Sequence, residues 1–309
     1  MSPANAPPHL AATVLVIREC GSGAAPANDI EVLLVRRSHR ASFMANAYVF
    51  PGGRVDAADA AASPSPGASA AASPDPLLAM RRAAARELGE EVGLQVGELA
   101  QLVPFAHWIT PSAEPKRFDT AFFLWPLGLP ESGASGLAAS AAPPDVQVDG
   151  SEVFDPVWIT PAAALTRYAE GTLNLPPPTV CTLEDLAADV AAARATGVAN
   201  RAFPGPRTAH GPAALLQTLL TRCAARRPLP VLPKFCAESD GALSIVMPWD
   251  AHYAELPGDG NPVPALAENA APVACRIRRC QLRPVGVGSA AGVGAKDLSV
   301  VPWTVERAL

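Results

Sequence analysis

Three carboxylates, Glu87, Glu90 and Glu91, stand within five positions of one another in "AAARELGEEVGL", residues 83 to 94. Like charges three and four apart on a helix repel by a few tenths of a kcal/mol per pair, so the crowding asks for a counter-charge. At roughly 100° per residue the three acids share one arc of the helix, while Leu78, Ala85, Leu88 and Val92 take the other side. The spacing predicts a helix that packs by one face and offers carboxylates by the other. Clustered carboxylate oxygens suit a hard divalent cation such as Mg²⁺, which keeps several waters and fills its remaining positions with substrate phosphates. Arg86 adjoins the acids and could orient one of them by a bidentate hydrogen bond. Upstream, "PGG" (51 to 53) supplies Gly52 and Gly53, where backbone can approach a ligand closely. On charge alone, a solvated acidic helix face is the competing reading.

The elements that must position these residues follow from pattern. "AATVLVI" (11 to 17) and "IEVLLVR" (30 to 36) are β-branched runs separated by a Gly/Pro/Asn-rich stretch, which predicts two neighbouring strands. An Ala/Ser/Pro tract within residues 57 to 76 has too little bulky apolar surface to order itself and is expected to be a mobile, dispensable insertion, most clearly over residues 60 to 74. Asp75 and Pro76 then supply an N-cap and a first-turn proline, Leu77 to Glu91 are good helix formers, and Gly93 is placed to stop the helix. Residues 99 to 109, 118 to 127 and 152 to 159 predict further strands, and 161 to 171, about 182 to 196 and 211 to 226 predict helices. Beyond 235, "ALSIVMP", "APVACRIRRC" and "VVPWTV" read as short strands among turns. The expected division is a main domain over 10 to 235 and a C-terminal extension or subdomain over 236 to 309, packed on the first.

Bulk properties narrow the function. A net charge of −5 offers no broad basic field to nucleic acid or anionic lipid. The amino-terminal "MSPANAPPHL" lacks a cationic start with an apolar core, and nowhere do some 18 apolar residues run unbroken, so neither a secretory signal nor a membrane span is expected. The reading is a cytoplasmic protein. Its six cysteines lack any CxxC pair, which fits reduced thiols rather than a disulfide framework or a zinc site.

"RELGEEVGL" (86 to 94) resembles the second half of the Nudix box at every specified position: Arg86, Glu87, Leu88, Glu90, Glu91, Gly93 and Leu94. The first half resembles Gly53 and, six residues on, Asp59, an acid shortened by one methylene from the family's glutamate. Between Asp59 and Arg86 lie 26 residues in place of the family's short spacer. The Ala/Ser/Pro tract accounts for that excess, since loop length carries only a weak logarithmic cost. An insertion inside the box resembles the branch containing peroxisomal coenzyme A diphosphatases and their bacterial relatives. So do "VLLVRRSHRASFMANAYVFPGGRVDAAD" (32 to 59), "FAHWITPSAEPKRFDTAFFLW" (105 to 125) and "EVFDPVWITPAAAL" (152 to 165).

The resemblance implies an α+β fold, a Nudix-type α/β/α sandwich with a mixed sheet, extra helices and a small C-terminal extension. It implies Mg²⁺ or Mn²⁺ bound by Glu87 and Glu91, with Glu90 as a further ligand or the base, the Gly53 carbonyl near the metal, and Arg86 holding Glu87. Glu152 stands where many family members carry a late acid that binds metal or activates water; a strand-end surface acid is the alternative. Arg37, Gly52, Gly53 and Arg117 are candidate phosphate holders, as is Lys116, against a reading of the cations as surface charges. His107 is read as a packed strand histidine rather than a base. The implied reaction is hydrolysis of a small-molecule diphosphate, with coenzyme A or an acyl-CoA as leading substrate. The alternatives are a nucleotide-sugar, dinucleotide or ADP-ribose diphosphatase, and a non-catalytic nucleotide-sensing module. No nucleic-acid or membrane partner is implied, and a homodimer is compatible with this reading.

Overall fold

The structure, a computed structural model, describes residues 7–20, 29–41, 44–61, 76–112, 114, 116–128, 145–201, 213–237, 243–248, 253, 280–284 and 303–307. Its centre is β1 (His9–Glu19), which pairs parallel with β6 (Phe118–Pro126) along its whole length, from His9↔Phe118 to Ile17↔Pro126. The opposite edge of β1 is shared. Its end, Ile17–Glu19, pairs antiparallel with β2 (Ile30–Arg37), and its start, Ala11–Thr13, pairs antiparallel with the three-residue β4 (Gly52–Arg54). The seven-stranded sheet is completed by β5 (Val103–Ile109) beside β6, and by β3 (Tyr48–Val49) and β7 (Val153–Ile159) beside β2. One parallel pair among antiparallel ones makes the sheet mixed.

Both faces of this sheet are covered, which explains why the first two strands read as continuous apolar runs rather than alternating ones. Val14, Val16, Leu33, Val35 and Phe123 face α2 (Pro76–Val92), meeting Met80, Ala83, Ala84, Leu88 and Val92. Leu15, Ile17, Val32, Leu34 and Phe122 face the other way, toward a layer formed by α3 (Pro161–Ala169), α4 (Pro177–Arg201) and α5 (Ala213–Ala224). Each fully buried Leu or Ile stabilises the fold by about 1.5–3 kcal/mol relative to exposure. The result is the expected α/β/α sandwich of the α+β class with a mixed sheet and extra helices.

Three details differ from the sequence-based expectation. Residues 57–61, the first part of the Ala/Ser/Pro insertion, form a short helix, α1 (Ala57–Ala61), because Asp59 accepts the Asp56 N–H at 2.8 Å and closes the first turn. The mobile tract expected at 60–74 otherwise falls on residues 62–74, outside the described residues. Helix α4 starts at Pro177 instead of about 182, since prolines fit a first helical turn whose N–H groups have no internal partner. Finally, Glu91 does not face open solvent but is only 6% exposed, with its Oε2 on the Gly52 N–H of β4. Gly93, at φ +72°, ends that helix as expected, and the Leu94 N–H reaches back to the Leu88 carbonyl at 3.1 Å.

After α5 the chain runs beside β5: Val231 donates to the His107 carbonyl and accepts from the Ile109 N–H, both at 2.8 Å. It then enters a second, antiparallel sheet, β8 (Lys234–Ala237), β9 (Leu243–Val246), β10 (Cys280–Pro284) and β11 (Trp303–Arg307). Ile245 and Met247 are buried in the same core as α4 and α5. Among the described residues no helix is long and apolar enough to cross a membrane.

Candidate active site

A turn pinned from two sides organises the site. The Thr13 hydroxyl, on β1, is hydrogen-bonded to the carbonyls of Phe50 and Pro51 at 3.0 and 2.7 Å, and the Val14 N–H donates to the Pro51 carbonyl at 2.9 Å. "PGG" is thereby laid against the start of β1, where Gly52 is required: a Cβ there would sit 2.3 Å from the Ala12 carbonyl oxygen. From α2, Glu91 reaches the turn and its Oε2 accepts the Gly52 N–H at 2.8 Å. Gly53 faces Glu87 so closely that a Cβ would meet Glu87 Oε1 at 2.3 Å. Both glycines are therefore fitted to close approach, as the sequence pattern requires, one to a strand and one to a carboxylate.

Arg86 ties the acidic side chains together. Its Nη1 donates to Glu87 Oε1 at 2.9 Å and Glu90 Oε2 at 2.8 Å, while its Nη2 donates to the Arg54 carbonyl at 2.9 Å and Asp59 Oδ2 at 3.0 Å. The Asp59 bond is the largest influence raising the Arg86 pKa above its ordinary value. Asp59, the shortened acid of the box's first half, is 6% exposed and does not line the pocket described below. Its place here is to fix Arg86, which in turn fixes Glu87. That linkage also explains how the box's two halves stay together across a long insertion.

Glu87 and Glu91 open into one cavity of about 460 Å³, together with Arg37, Gly52, Gly53 and Glu152. Burial, with the Glu87 charge adding to it, pushes the Glu91 carboxyl up to about 8 against the opposing Gly52 N–H. Burial likewise raises Glu87, opposed by Arg86. The negative charge of Glu152 raises both. Each of Glu87 and Glu91 has one oxygen held by a protein donor, and no hydrogen bond to its other oxygen falls among the described residues. A buried and a half-buried carboxylate, each with a spare oxygen and each made reluctant to ionise by desolvation and then by neighbouring acids (Glu90 and Glu152 for Glu87; Glu87 and Glu152 for Glu91), form a donor set that a hard cation satisfies. The residues present thus fit Mg²⁺ or Mn²⁺, although among the described residues no three Asp, Glu, His or Cys side chains form a ready-made cage.

The other expected site residues divide. Arg37 and Glu152 line the cavity with Glu87 and Glu91. Glu90 does not; its side chain is 59% exposed and bonded to Arg86 on the outer side of the helix. Arg117 also does not, because its Nε is turned to the Thr110 carbonyl at 3.1 Å, whereas neighbouring Lys116 does line the cavity. His107 is paired with Asp119 across β5 and β6, the structural position expected for it. Sequence reasoning missed Glu114, a half-buried cavity-lining acid whose pKa burial raises, and the far wall built by Trp108, Phe122, Pro177, Phe235 and Ile245. Apolar residues in short strands carry no spacing signal that distinguishes a pocket wall from core.

The chain is similar to several known proteins. Residues 9–66 match the family described as NUDT19 Nudix domain. The acyl-coenzyme A diphosphatase NUDT19 of Gallus gallus is 25% identical over 235 residues, covering 48% of this chain. The chain spans 59% of that relative's length. Among solved structures, a Nudix hydrolase from Alicyclobacillus acidocaldarius is 26% identical with a TM-score of 0.44, covering 60% of this chain and 93% of its own. A MutT protein from Methanosarcina mazei Go1 is 20% identical with a TM-score of 0.34, covering 58% of this chain and 93% of its own. The box residues from Arg86 to Leu94 are gathered against Gly52 and Gly53 on an α/β/α sandwich, and over residues 9–66 the chain is similar to the NUDT19 Nudix domain family.

Proposed function

We propose that the protein is a metal-dependent diphosphatase whose best-fitting substrate is coenzyme A or an acyl-CoA, cleaved to 3′,5′-ADP and (acyl-)4′-phosphopantetheine. The observation that carries the reading is the pair Glu87 and Glu91: a half-buried and a buried carboxylate with spare oxygens at one end of a cavity that continues into an apolar wall. When bound by Glu87 and Glu91 beside Gly53, Mg²⁺ or Mn²⁺ supplies neutralisation of diphosphate oxygens and acidification of water. The protein's own part is positioning. Arg86 and the Gly52 N–H hold the two carboxylates in register, so the site is preorganised rather than rearranged during reaction. Arg37 and Lys116 offer positive charge to phosphate oxygens from the cavity's rim, and Arg117 anchors the β5–β6 connection that presents Lys116.

A water oxygen bonds to one phosphorus, the bridging P–O bond breaks, and the departing phosphate keeps that electron pair. The water proton passes to a carboxylate, for which Glu152 is the favoured base because it lines the cavity, whereas Glu90 is turned outward onto Arg86. The choice of coenzyme A rests on the insertion within the box, the segments at 32–59, 105–125 and 152–165, the similarity to the acyl-coenzyme A diphosphatase of Gallus gallus, and the apolar far wall.

The test is a panel of coenzyme A, octanoyl-CoA, ADP-ribose, a dinucleotide and a nucleotide sugar, each with Mg²⁺ or Mn²⁺, and products identified by mass. Coenzyme A or its octanoyl ester is expected to give the highest kcat/KM. A roughly tenfold preference for ADP-ribose, about 1.4 kcal/mol in the transition state, would overturn the substrate and leave the diphosphatase. Failure to cleave any of them would favour the nucleotide-sensing module.

A further inference from the structure

Of the described residues that close the cavity, three come from beyond the sandwich: Pro233, Phe235 on β8 and Ile245 on β9, the last two on paired strands. They reach it because Val231 bonds to both His107 and Ile109, so the chain leaves β5's edge directed across the cavity mouth. Backbone pairing of β8 with β9, including Phe235↔Ile245, then sets these two side by side. Under them the sheet presents Thr13, Thr120, Phe122 and Trp108, which share one face by register. The N-terminal turn of α4, Pro177 and Pro178, adds two residues without a backbone N–H to offer. Among these side chains the hydrogen-bonding groups are the Thr13 and Thr120 hydroxyls and the Trp108 indole N–H, and the Thr13 hydroxyl is already bonded to the Phe50 and Pro51 carbonyls; the rest are apolar, in contrast to the carboxylate end. Phe235 is only partly buried, whereas Ile245 is 6% exposed and belongs to the core. An aromatic side chain left partly uncovered at the mouth of an apolar recess has surface available to an occupant.

We propose that the β8–β9 hairpin is the specificity element of this site: Phe235, backed by Ile245, receives a non-polar chain attached to the substrate's diphosphate. The inference rests on the diphosphatase reading and names residues that would choose among its substrates. A charged or strongly hydrated group would lose its water against Phe235, Phe122 and the prolines without gaining partners, which favours an alkyl or acyl chain there. Chain length should be read by Phe235, because it can be enlarged or reduced without disturbing the buried face that Ile245 secures.

Two measurements test it with Mg²⁺ present. The first is the ratio of kcat/KM for octanoyl-CoA to that for coenzyme A in the wild type and in Phe235→Ala, Phe235→Leu and Phe235→Trp. The ratio should fall about tenfold in Phe235→Ala and less in Phe235→Leu, the size expected for apolar contacts in a pocket. It should fall again in Phe235→Trp by crowding. The second is calorimetric binding of dodecyl phosphate, which requires no turnover, and it should weaken about tenfold in Phe235→Ala. If no diphosphate is cleaved but dodecyl phosphate binding still depends on Phe235, the functional reading fails and the hairpin's role stands. An unchanged ratio in all three variants, an equal loss on both substrates, or no dodecyl phosphate binding by the wild type would overturn the proposal.

Discussion

At one end of the cavity, Glu87 and Glu91 come from successive turns of a single helix and are held by a guanidinium and a backbone N–H. At the other end, Trp108, Phe122, Pro177, Phe235 and Ile245 come from five separate elements spread over more than a hundred residues. The contrast follows from what each end must do. Cation binding needs two carboxylates at a fixed separation, and a four-residue helical spacing provides that locally. Selecting an apolar group needs only shape and the absence of polar partners, which distant segments can assemble and which can drift without harming the chemistry. The acidic end should therefore respond to single substitutions by losing turnover, and the apolar end by changing preference.

The largest expected effect lies at the acidic end. Glu87→Gln and Glu91→Gln keep size while removing charge, and each should lower kcat by about 10²–10³ or more, the magnitude typical of losing one preorganised electrostatic contact. The folded state should persist, since α2 packs through Met80, Ala83, Leu88 and Val92. Steady-state kinetics at limiting Mg²⁺ with a thermal melt decides it. Near-normal turnover in both variants would place the chemistry elsewhere.

Next come the two glycines, which separate fold from chemistry within one turn. In Gly52→Ala the new methyl meets backbone, the Ala12 carbonyl at 2.3 Å and Thr13 Cα at 2.5 Å, so β4 must shift and about 1–3 kcal/mol of stability should go with it. In Gly53→Ala the obstacle is the Glu87 carboxylate, a side-chain end that can swing aside. Stability should change by under about 1 kcal/mol while kcat drops more than tenfold, because the displaced acid leaves its productive position. Denaturant midpoints for the two proteins should thus differ in the opposite order from their activities. Equal destabilisation would show that Glu87 cannot move and that the turn is one rigid unit.

How much of this was legible in the sequence follows the same divide. The helix, its stop at Gly93, the acids and the close glycine turn all announce themselves by local spacing. Glu91's burial did not, because helical periodicity places a carboxylate on an arc and cannot say that β4 closes over it. Asp59 reads in the sequence only as the shortened acid of the box's first half; the fold brings it to Arg86, 27 positions away, and gives it a structural task. Arg117 and Lys116 are adjacent and chemically similar, and which of them faces the cavity depends on strand register and on the carbonyl that captures Arg117. Phe235 and Ile245 were invisible, since their nearness to Trp108 depends on the crossing that Val231 makes at β5.

The smallest expected effect provides the control for the acidic end. Asp185, on α4 and outside the cavity, is another carboxyl that burial pushes up, to about 6; Arg226 opposes the shift, while Asp189 and Glu184 add to it. Because its folded pKa is raised above the unfolded value, its contribution to stability is fully present below about pH 4. It is lost as pH climbs toward 6 and is level above that. Asp185→Asn should therefore match the wild type at pH 4 and exceed it at pH 7, by at most about 2 kcal/mol because Arg226 also loses a counter-charge. That difference should be indifferent to Mg²⁺, since no cation is expected near α4. The Glu91→Gln difference should instead change with Mg²⁺, because binding to the folded state stabilises only the protein that retains the site. Denaturant titrations of the three proteins at pH 4 and pH 7, with and without Mg²⁺, compare the two carboxyls directly. A Mg²⁺ response at Asp185 equal to that at Glu91 would mean that the ion acts through bulk charge, and the distinction between the cavity's acids and the rest of the molecule would fall.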